Sequence, residues 1–363
     1  MTDDPERILV LEAGGIGDAV MATPTLAALR ARVPHARVTV VMAPRATTIV
    51  EALGRGLEVR TLRLGRPVAP WVDAAHLVLA EPPDLLIDLS SIESNGAALK
   101  RRVLVALIRA RRSVGRNTDG RGPFFNAAID ESLGDPEHEV DRKLRVIGLL
   151  GIRAESARPV VTVSAAAADA ARRMRADAGV PDDAELIGVH PGAFLPTRRW
   201  PVDRFARLAG KLAEERRAAV LVTGGPLERD LVEQVAAAPG GAVVRAAGLP
   251  LMHVAALIRR CRLFVTNDTG MMHLAAAQNV PVLALFGWSN ARRYRPYLPP
   301  ERCTLLQQPA EACPEIGPAD RAVECRRTTC PSGACMTGIR YDDVLRAARE
   351  LLDRTGDSAG GAA

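Results

Sequence analysis

Short, largely aliphatic runs alternate with amphipathic stretches along nearly the whole chain, and the alternation occurs twice. In the first half the runs lie at Ile8–Leu11, Val38–Met42 and Leu85–Leu89, each followed by a segment with helical spacing of its apolar positions. A second series runs through Leu186–Val189, Val220–Thr223, Leu263–Thr266 and Val282–Phe286. Apolar runs this short suit strands covered on both faces, and strands interleaved with helices predict parallel sheets, hence an α/β protein. Between the series, Gly151 to about Pro181 holds the alanine-rich Ser164–Ala178, flanked by Pro159 and Pro181 and predicted as a helix of the interdomain connection. The expected division is an N-terminal domain over 1–158, a connection over 159–180 and a C-terminal domain over 181–340. A last helix over 341–354 and a disordered tail over 355–363 follow.

Length agrees with two cores: 363 residues at 48% hydrophobic content exceed what one ordinary core needs. Aromatic residues make up only 3%, so both cores must be aliphatic. No apolar run reaches membrane-spanning length, and Met1-Thr2-Asp3-Asp4-Pro5-Glu6 is acidic with no signal core behind it, so the expected location is cytoplasmic. A formal charge of +6 favours an acidic partner: nucleic acid, anionic lipid or a phosphorylated sugar.

Three strand ends carry chemistry. Leu263-Phe264-Val265 leads into Asn267-Asp268-Thr269-Gly270 and a helix containing His273. Asn267 or Asp268 can cap that helix, and the amides of Thr269 and Gly270 offer a phosphate the positive end of its dipole. Arg7–Leu11 empties into Ala13-Gly14-Gly15-Ile16-Gly17-Asp18, where the glycines allow close backbone approach and Asp18 stands at the helix mouth; Pro24 should kink this helix. Gly188-Val189-His190-Pro191-Gly192 precedes Thr197-Arg198-Arg199-Trp200-Pro201, and Thr223-Gly224-Gly225-Pro226-Leu227-Glu228 follows a fourth strand. Either arginine can fork onto a pyrophosphate. Glu228 can hold ribose hydroxyls or simply complement a helix dipole, His273 can donate to phosphate or sit in the core, and Trp200 reads as a packing residue.

The order of these motifs, a glycine-rich turn ending in Gly-Asp, a Pro-Gly loop leading to a basic Trp-Pro, and Asp-Thr-Gly-x-x-His, resembles glycosyltransferase family 9, the lipopolysaccharide heptosyltransferases, over nearly the whole chain. The resemblance implies a GT-B-like α/β fold: two Rossmann-like domains with parallel sheets facing across a cleft. It implies an inverting transfer, of heptose from ADP-heptose, to a glycan or lipid-linked acceptor, with no cofactor required for catalysis and no nucleic acid as partner. Asp18 is then the general base, with a helix cap as the alternative; Gly192, Arg198, Arg199, Gly224, Glu228, Asp268, Thr269, Gly270 and His273 would bind the donor. Gly15 and Gly17, with Lys100, Arg101 and Arg102, would face the acceptor. The family usually has a lysine where this chain has Arg198, which leaves the division of work between Arg198 and Arg199 open.

Lys100, Arg101, Arg102, Arg109, Arg111, Arg112 and Arg116 lie in a stretch, Ser94 to Thr118, that holds no acid. Interrupted by Val103–Ile108, it reads as a core-facing helix with basic ends, whose default is a solvated charged face; it also suits a phosphorylated glycolipid and peripheral contact with an anionic membrane at its inner face. Cys313, Cys325, Cys330 and Cys335 crowd the stretch 303–335, in spacings unlike a zinc ribbon. They are either a structural zinc or iron site or scattered reduced thiols, in a segment with little apolar periodicity. Rival readings are a nucleotide-sugar epimerase of similar fold, an NAD-dependent oxidoreductase, and a non-enzymatic metal- or redox-sensing protein. The glycine spacing after the first strand is not that of a dinucleotide fingerprint, which weighs against the second of these.

Overall fold

The structure, a computed structural model, describes residues 5–54, 56–61, 82–238, 240–315, 325 and 327–356. The chain divides between Thr162 and Val163 into two units.

In the first unit, β1 (Arg7–Glu12), β2 (Arg37–Met42), β3 (Leu57–Thr61), β4 (Leu85–Asp88), β5 (Arg112–Thr118) and β6 (Ala127–Glu131) form one parallel sheet in the order β3-β2-β1-β4-β5-β6. Its helices are α1 (Ile16–Arg32), α2 (Thr47–Glu51), α3 (Asn95–Ile108) and α4 (Glu139–Gly148). α1 runs on through Pro24. The proline leaves the Val20 carbonyl without its usual amide, and the Thr23 hydroxyl donates to that carbonyl at 2.8 Å instead. Ser94 caps α3, accepting from the Ala97 amide at 3.1 Å.

The second unit repeats the plan with β7 (Leu186–His190), β8 (Ala219–Gly224), β9 (Val243–Ala247), β10 (Leu263–Asn267), β11 (Val282–Phe286) and β12 (Cys303–Gln307), ordered β12-β11-β10-β7-β8-β9, again all parallel. Around it lie α5 (Ala165–Asp177), α6 (Val202–Arg216), α7 (Arg229–Ala236), α8 (Leu251–Ile258), α9 (Gly270–Ala277), α10 (Ala291–Tyr294), α11 (Ala334–Thr337) and α12 (Tyr341–Gly356). The alanine-rich helix α5, expected in the connection, belongs to this unit and packs on α8. The core joins Ile187, Val189, Leu212, Val222 and Val265 with Met336, Ile339 and Leu351. The cysteine-rich stretch is therefore not without apolar anchors: its start is the edge strand β12, Leu306 and Cys335 pack against the core, and Met336 and Ile339 just beyond it plug in. Most of the expected tail lies outside the described residues.

In each sheet the strand order reverses once, between β1 and β4 and between β7 and β10. At such a point neighbouring loops diverge and leave a crevice at the carboxyl ends of the strands, where open α/β sheets bind ligands.

Candidate functional site

Three loops meet at the reversal in the second unit. Arg198, after β7, donates to Asp268 Oδ2, after β10, at 3.1 Å, and so bridges the two strands that flank the crevice. Ser289 donates to the same Asp268 oxygen at 3.0 Å. Arg199 turns the other way, reaching the Ala193 carbonyl at 3.0 Å and Glu228 Oε1, after β8, at 3.3 Å. The sequence left the division between the two arginines open; in the structure each has its own carboxylate. These side chains are 10–30% exposed, so they are held in place yet open to a ligand.

The helix after β10 is capped by Thr269, whose Oγ1 accepts from the Met271 amide at 3.1 Å. That corrects the expectation of an Asn267 or Asp268 cap. Asn267 is fully buried and ties the motifs together, donating to the Pro191 and Gly192 carbonyls at 3.0 Å each and accepting from the Trp200 amide at 3.0 Å. With capping left to Thr269, Asp268 is available for Arg198. Trp200 packs as expected: buried, edge-on to Phe205, its indole donating to the Ile339 carbonyl at 2.9 Å.

Glu228 Oε2 accepts from the Gly225 amide at 2.8 Å, the local helix-start chemistry, while Oε1 faces Arg199. A Cβ on Gly192 would overlap the Glu228 carboxylate and force that side chain to shift; a Cβ on Gly224 would lie 2.6 Å from a Val232 methyl. His273 is 5% exposed and lies inside α9. His190, which sequence reasoning passed over, ends β7 with Nδ1 3.0 Å from both Thr223 Oγ1 and its carbonyl oxygen. Burial holds its pKa below the usual histidine value, against the pull of Glu228. Ser289 was missed as well; a serine 21 residues beyond its partner carries no sequence signal.

In the first unit the glycine loop follows β1. The Gly15 amide donates to Asp18 Oδ2 at 2.8 Å, so Asp18 does act as a helix cap through that oxygen, and no other hydrogen bond to its carboxylate is seen among the described residues. A Cβ on Gly14 would run into the Asp18 carboxylate, and one on Gly15 would stand 3.5 Å from the Arg45 guanidinium. The loop is moored to β4 by the Ala13 amide on Ser90 Oγ at 2.9 Å.

Beneath it lies a sealed charge network. Glu12, at the end of β1, accepts from the Gly14 amide at 3.3 Å and from Lys143 Nζ. Lys143 also lies 3.5 Å from Glu139, and Arg116 joins Glu139 to Glu131, with 2.6 Å to the latter. Arg142 reaches the same Glu131 at 2.8 Å. Burial pushes the Glu12 carboxyl up to about 7 against the opposing charge of Lys143, with Asp18 and Glu139 adding to the rise. Burial also opposes the charge on Lys143, but Glu12 and Glu139 outweigh it and keep its pKa above the ordinary value. Arg116, read from sequence as part of a basic surface run, is thus a core residue of β5. Arg101 also turns inward, donating to the buried Asp88 at 2.5 Å, whereas Lys100 and Arg102 are exposed.

Residues 94–320 match the model of glycosyltransferase family 9 (heptosyltransferase). The chain belongs to that family. The matched span contains the second-unit loops and begins after Asp18. Lipooligosaccharide heptosyltransferase 2 of Haemophilus influenzae is 31% identical over 159 residues, 41% of this chain and 44% of the relative, so the chain spans less than half the length of that curated relative. A family 9 glycosyl transferase of Veillonella parvula shares the fold at a TM-score of 0.75 and 24% identity, covering 96% of this chain and 97% of that one. The E. coli ADP-heptose LPS heptosyltransferase II does so at 0.69 and 21%, covering 96% and 99%. The GT-B class expected from the motifs accordingly holds. Among the described residues no helix is long and apolar enough to cross a membrane.

All six cysteines are free thiols. Burial raises the Cys335 pKa, and Cys313, Cys325 and Cys330 lie within electrostatic reach and raise it further. The four gather without closing: among the described residues no three Cys, His, Asp or Glu side chains converge as metal ligands would. The segment that carries them buttresses the loop of Thr197 and Arg198. Arg198 donates to the Cys325 carbonyl at 3.2 Å, Thr197 to the Arg327 carbonyl at 2.7 Å, and the Cys325 amide to the Trp288 carbonyl at 2.8 Å.

Proposed function

We propose that the chain transfers a heptose from ADP-heptose to a glycan or lipid-linked acceptor of the lipopolysaccharide core type, with inversion at the anomeric carbon. The carrying observation is the Arg198–Asp268 bridge across the strand reversal, with Arg199 and Glu228 beside it, in a family 9 chain. A departing pyrophosphate needs cations, and here Arg198 is held by Asp268, the residue just before Thr269 and Gly270 at the mouth of α9, with Arg199 held by Glu228 after the neighbouring strand β8. Glu228 would accept from ribose hydroxyls in exchange for part of its contact with Arg199, and Asp268 would keep Arg198 oriented until the phosphates arrive. Asp18 takes the proton from the acceptor hydroxyl as the new bond to the anomeric carbon forms and the bond to the phosphate oxygen breaks; ADP leaves with the electron pair. The charges this reading needs come from side chains, with no cofactor called upon. An epimerase shares the two-sheet plan but needs no acceptor, so product release that depends on added acceptor separates the two.

Domain bounds near 1–158 and 181–340 stay part of this reading, with the acceptor on the first domain and the donor on the second. The acceptor, carried on lipid, would be met at the inner face of the membrane. The four cysteines serve as a staple under the donor loop, and zinc or iron held by them would fasten the segment that supports Arg198. Metal content below about a tenth of an equivalent under reducing purification, with stability unmoved by chelation, would remove the metal from this assignment.

The decisive experiment screens nucleotide sugars for thermal stabilisation, where a ligand at a hundred times its dissociation constant adds about 2.7 kcal/mol to folding stability. ADP-heptose should stabilise and UDP- or GDP-sugars should not. Equal stabilisation by all three classes would discard the donor assignment.

A further inference from the structure

Helix α3 is apolar on two opposite sides. Leu104, Val105 and Ile108 pack inward with Leu9, Leu11, Val41 and Leu86. Leu99, Val103 and Leu107 recur at every fourth position and are 64%, 38% and 43% exposed. At about 100° per residue these three fall within one quadrant, with Leu99 directly opposite Ile108. A surface helix normally turns polar residues outward, so an apolar stripe on its far side asks for a partner.

The charges beside the stripe say which. Lys100 flanks it on one side and Arg102 on the other, both exposed, and Arg109, Arg111 and Arg112 continue the basic band past the helix end. Arg101, the cation whose position faces the sheet, is drawn in by Asp88. No acid occurs from Ser94 to Thr118, and of the exposed cations in the band Arg111 has Asp84 at 3.8 Å. A second copy of the chain is a poor fit: a two-fold contact through this face would set one predominantly basic rim against another. An anionic lipid surface supplies both missing halves, hydrocarbon for the leucines and phosphate for the cations.

We infer that the outer face of α3 docks the first unit in the plane of an anionic lipid bilayer. Leu99, Val103 and Leu107 enter the boundary between headgroups and acyl chains, and Lys100 and Arg102 hold the phosphates on either side. Three modest side chains give shallow, reversible attachment that depends on the charges. This deepens the lipid-linked acceptor reading and rests on it for its purpose, though not for its physics.

The full chain is sedimented with vesicles of phosphatidylcholine alone and of phosphatidylcholine mixed in equal parts with phosphatidylglycerol. Binding is expected to the mixed vesicles only, and to weaken as salt is added. Leu99→Gln/Val103→Gln/Leu107→Gln should lower partitioning roughly tenfold or more while the protein still unfolds in one cooperative transition, since these side chains are 38–64% exposed and outside the core cluster. Wild-type protein that ignores the anionic lipid, or a triple variant that binds as well as wild type, overturns the inference. So does a dimer that the triple variant converts to monomer. A chain that binds mixed vesicles yet transfers no sugar to added acceptor leaves docking standing and sinks only the transferase reading.

Discussion

At the strand reversal of the second unit the charges come in pairs strung between loops and stay partly open: Arg198 with Asp268, and Arg199 with Glu228. At the equivalent point of the first unit, three acids and three cations, Glu12, Glu131, Glu139, Arg116, Arg142 and Lys143, are sealed under the glycine loop and balance one another. The same sheet plan thus serves two ends. In the proposed function the open pairs give up a cation to an arriving phosphate, since a guanidinium still 18–30% exposed can change partners without being stranded in the core. Sealed pairs cannot exchange partners without stranding a buried charge, so they hold a shape, and the shape they hold is the loop that presents Asp18.

If that contrast is right, the largest effect of any single change comes from the one carboxylate the sealed network presents. Asp18→Asn keeps an oxygen to accept from the Gly15 amide and so keeps the cap. Turnover should fall by roughly two to four orders of magnitude with donor affinity retained. Near-normal transfer by this variant would reduce Asp18 to the cap it also is.

Next comes the network itself. Arg116→Met removes a guanidinium that meets Glu131, Glu139 and the Leu89 carbonyl, leaving two buried carboxylates short of a partner. Denaturant unfolding should show a loss of about 3–5 kcal/mol. In the open pairs, Arg198→Ala should leave stability nearly unchanged and cost about 1.5–3 kcal/mol of donor affinity by calorimetry. Should the two variants trade places, with Arg198→Ala unfolding the protein and Arg116→Met merely weakening the donor, the contrast between the units is wrong.

The same contrast governs what was legible in the sequence. The central strands β1, β2, β4, β7, β8, β10 and β11 announce themselves because both faces are aliphatic. β5, Arg112 to Thr118, was not seen: it reads as a polar stretch, and its buried Arg116 is tolerated only because Glu131 and Glu139 arrive from distant segments. β3, β6, β9 and β12 escaped notice as short strands at or beside the sheet edges with polar residues among them. The second-unit loop residues Arg198, Arg199, Glu228 and Asp268 were readable because each follows a strand and sits in a local pattern of glycine, acid or arginine. The Glu12–Lys143 pair, 131 residues apart, has no local signature. The charge run from Lys100 to Arg116 was visible but not its partition, since the sequence does not say that Arg101 and Arg116 turn inward while Lys100 and Arg102 stay out. That Leu99, Val103 and Leu107 face water needed the register of α3 on the sheet.

The smallest effect, and the finest test, is in the sign of the pH dependence. Glu12 is raised from 4.5 to about 7 on folding. Between those values the folded chain holds a proton that the unfolded chain releases, so the contribution of Glu12 to stability is full below 4.5, declines as pH rises and is gone above about 7. Burial drives the rise, Lys143 opposes it, and Asp18 and Glu139, which also face this carboxyl, add to it; Glu12→Gln keeps the size and removes the titration. His190, in the second unit, runs the other way. Its pKa is lowered from 6.5 by burial, so the unfolded chain takes up the extra proton and stability is lost as pH falls below that value. Unfolding followed from about pH 5 to pH 8 should show the wild type losing stability relative to Glu12→Gln as pH rises, and gaining it relative to His190→Gln. Equal slopes in all three proteins would mean that the fold shifts neither the Glu12 nor the His190 titration, and the sealed site would then differ from the open one in burial but not in electrostatics.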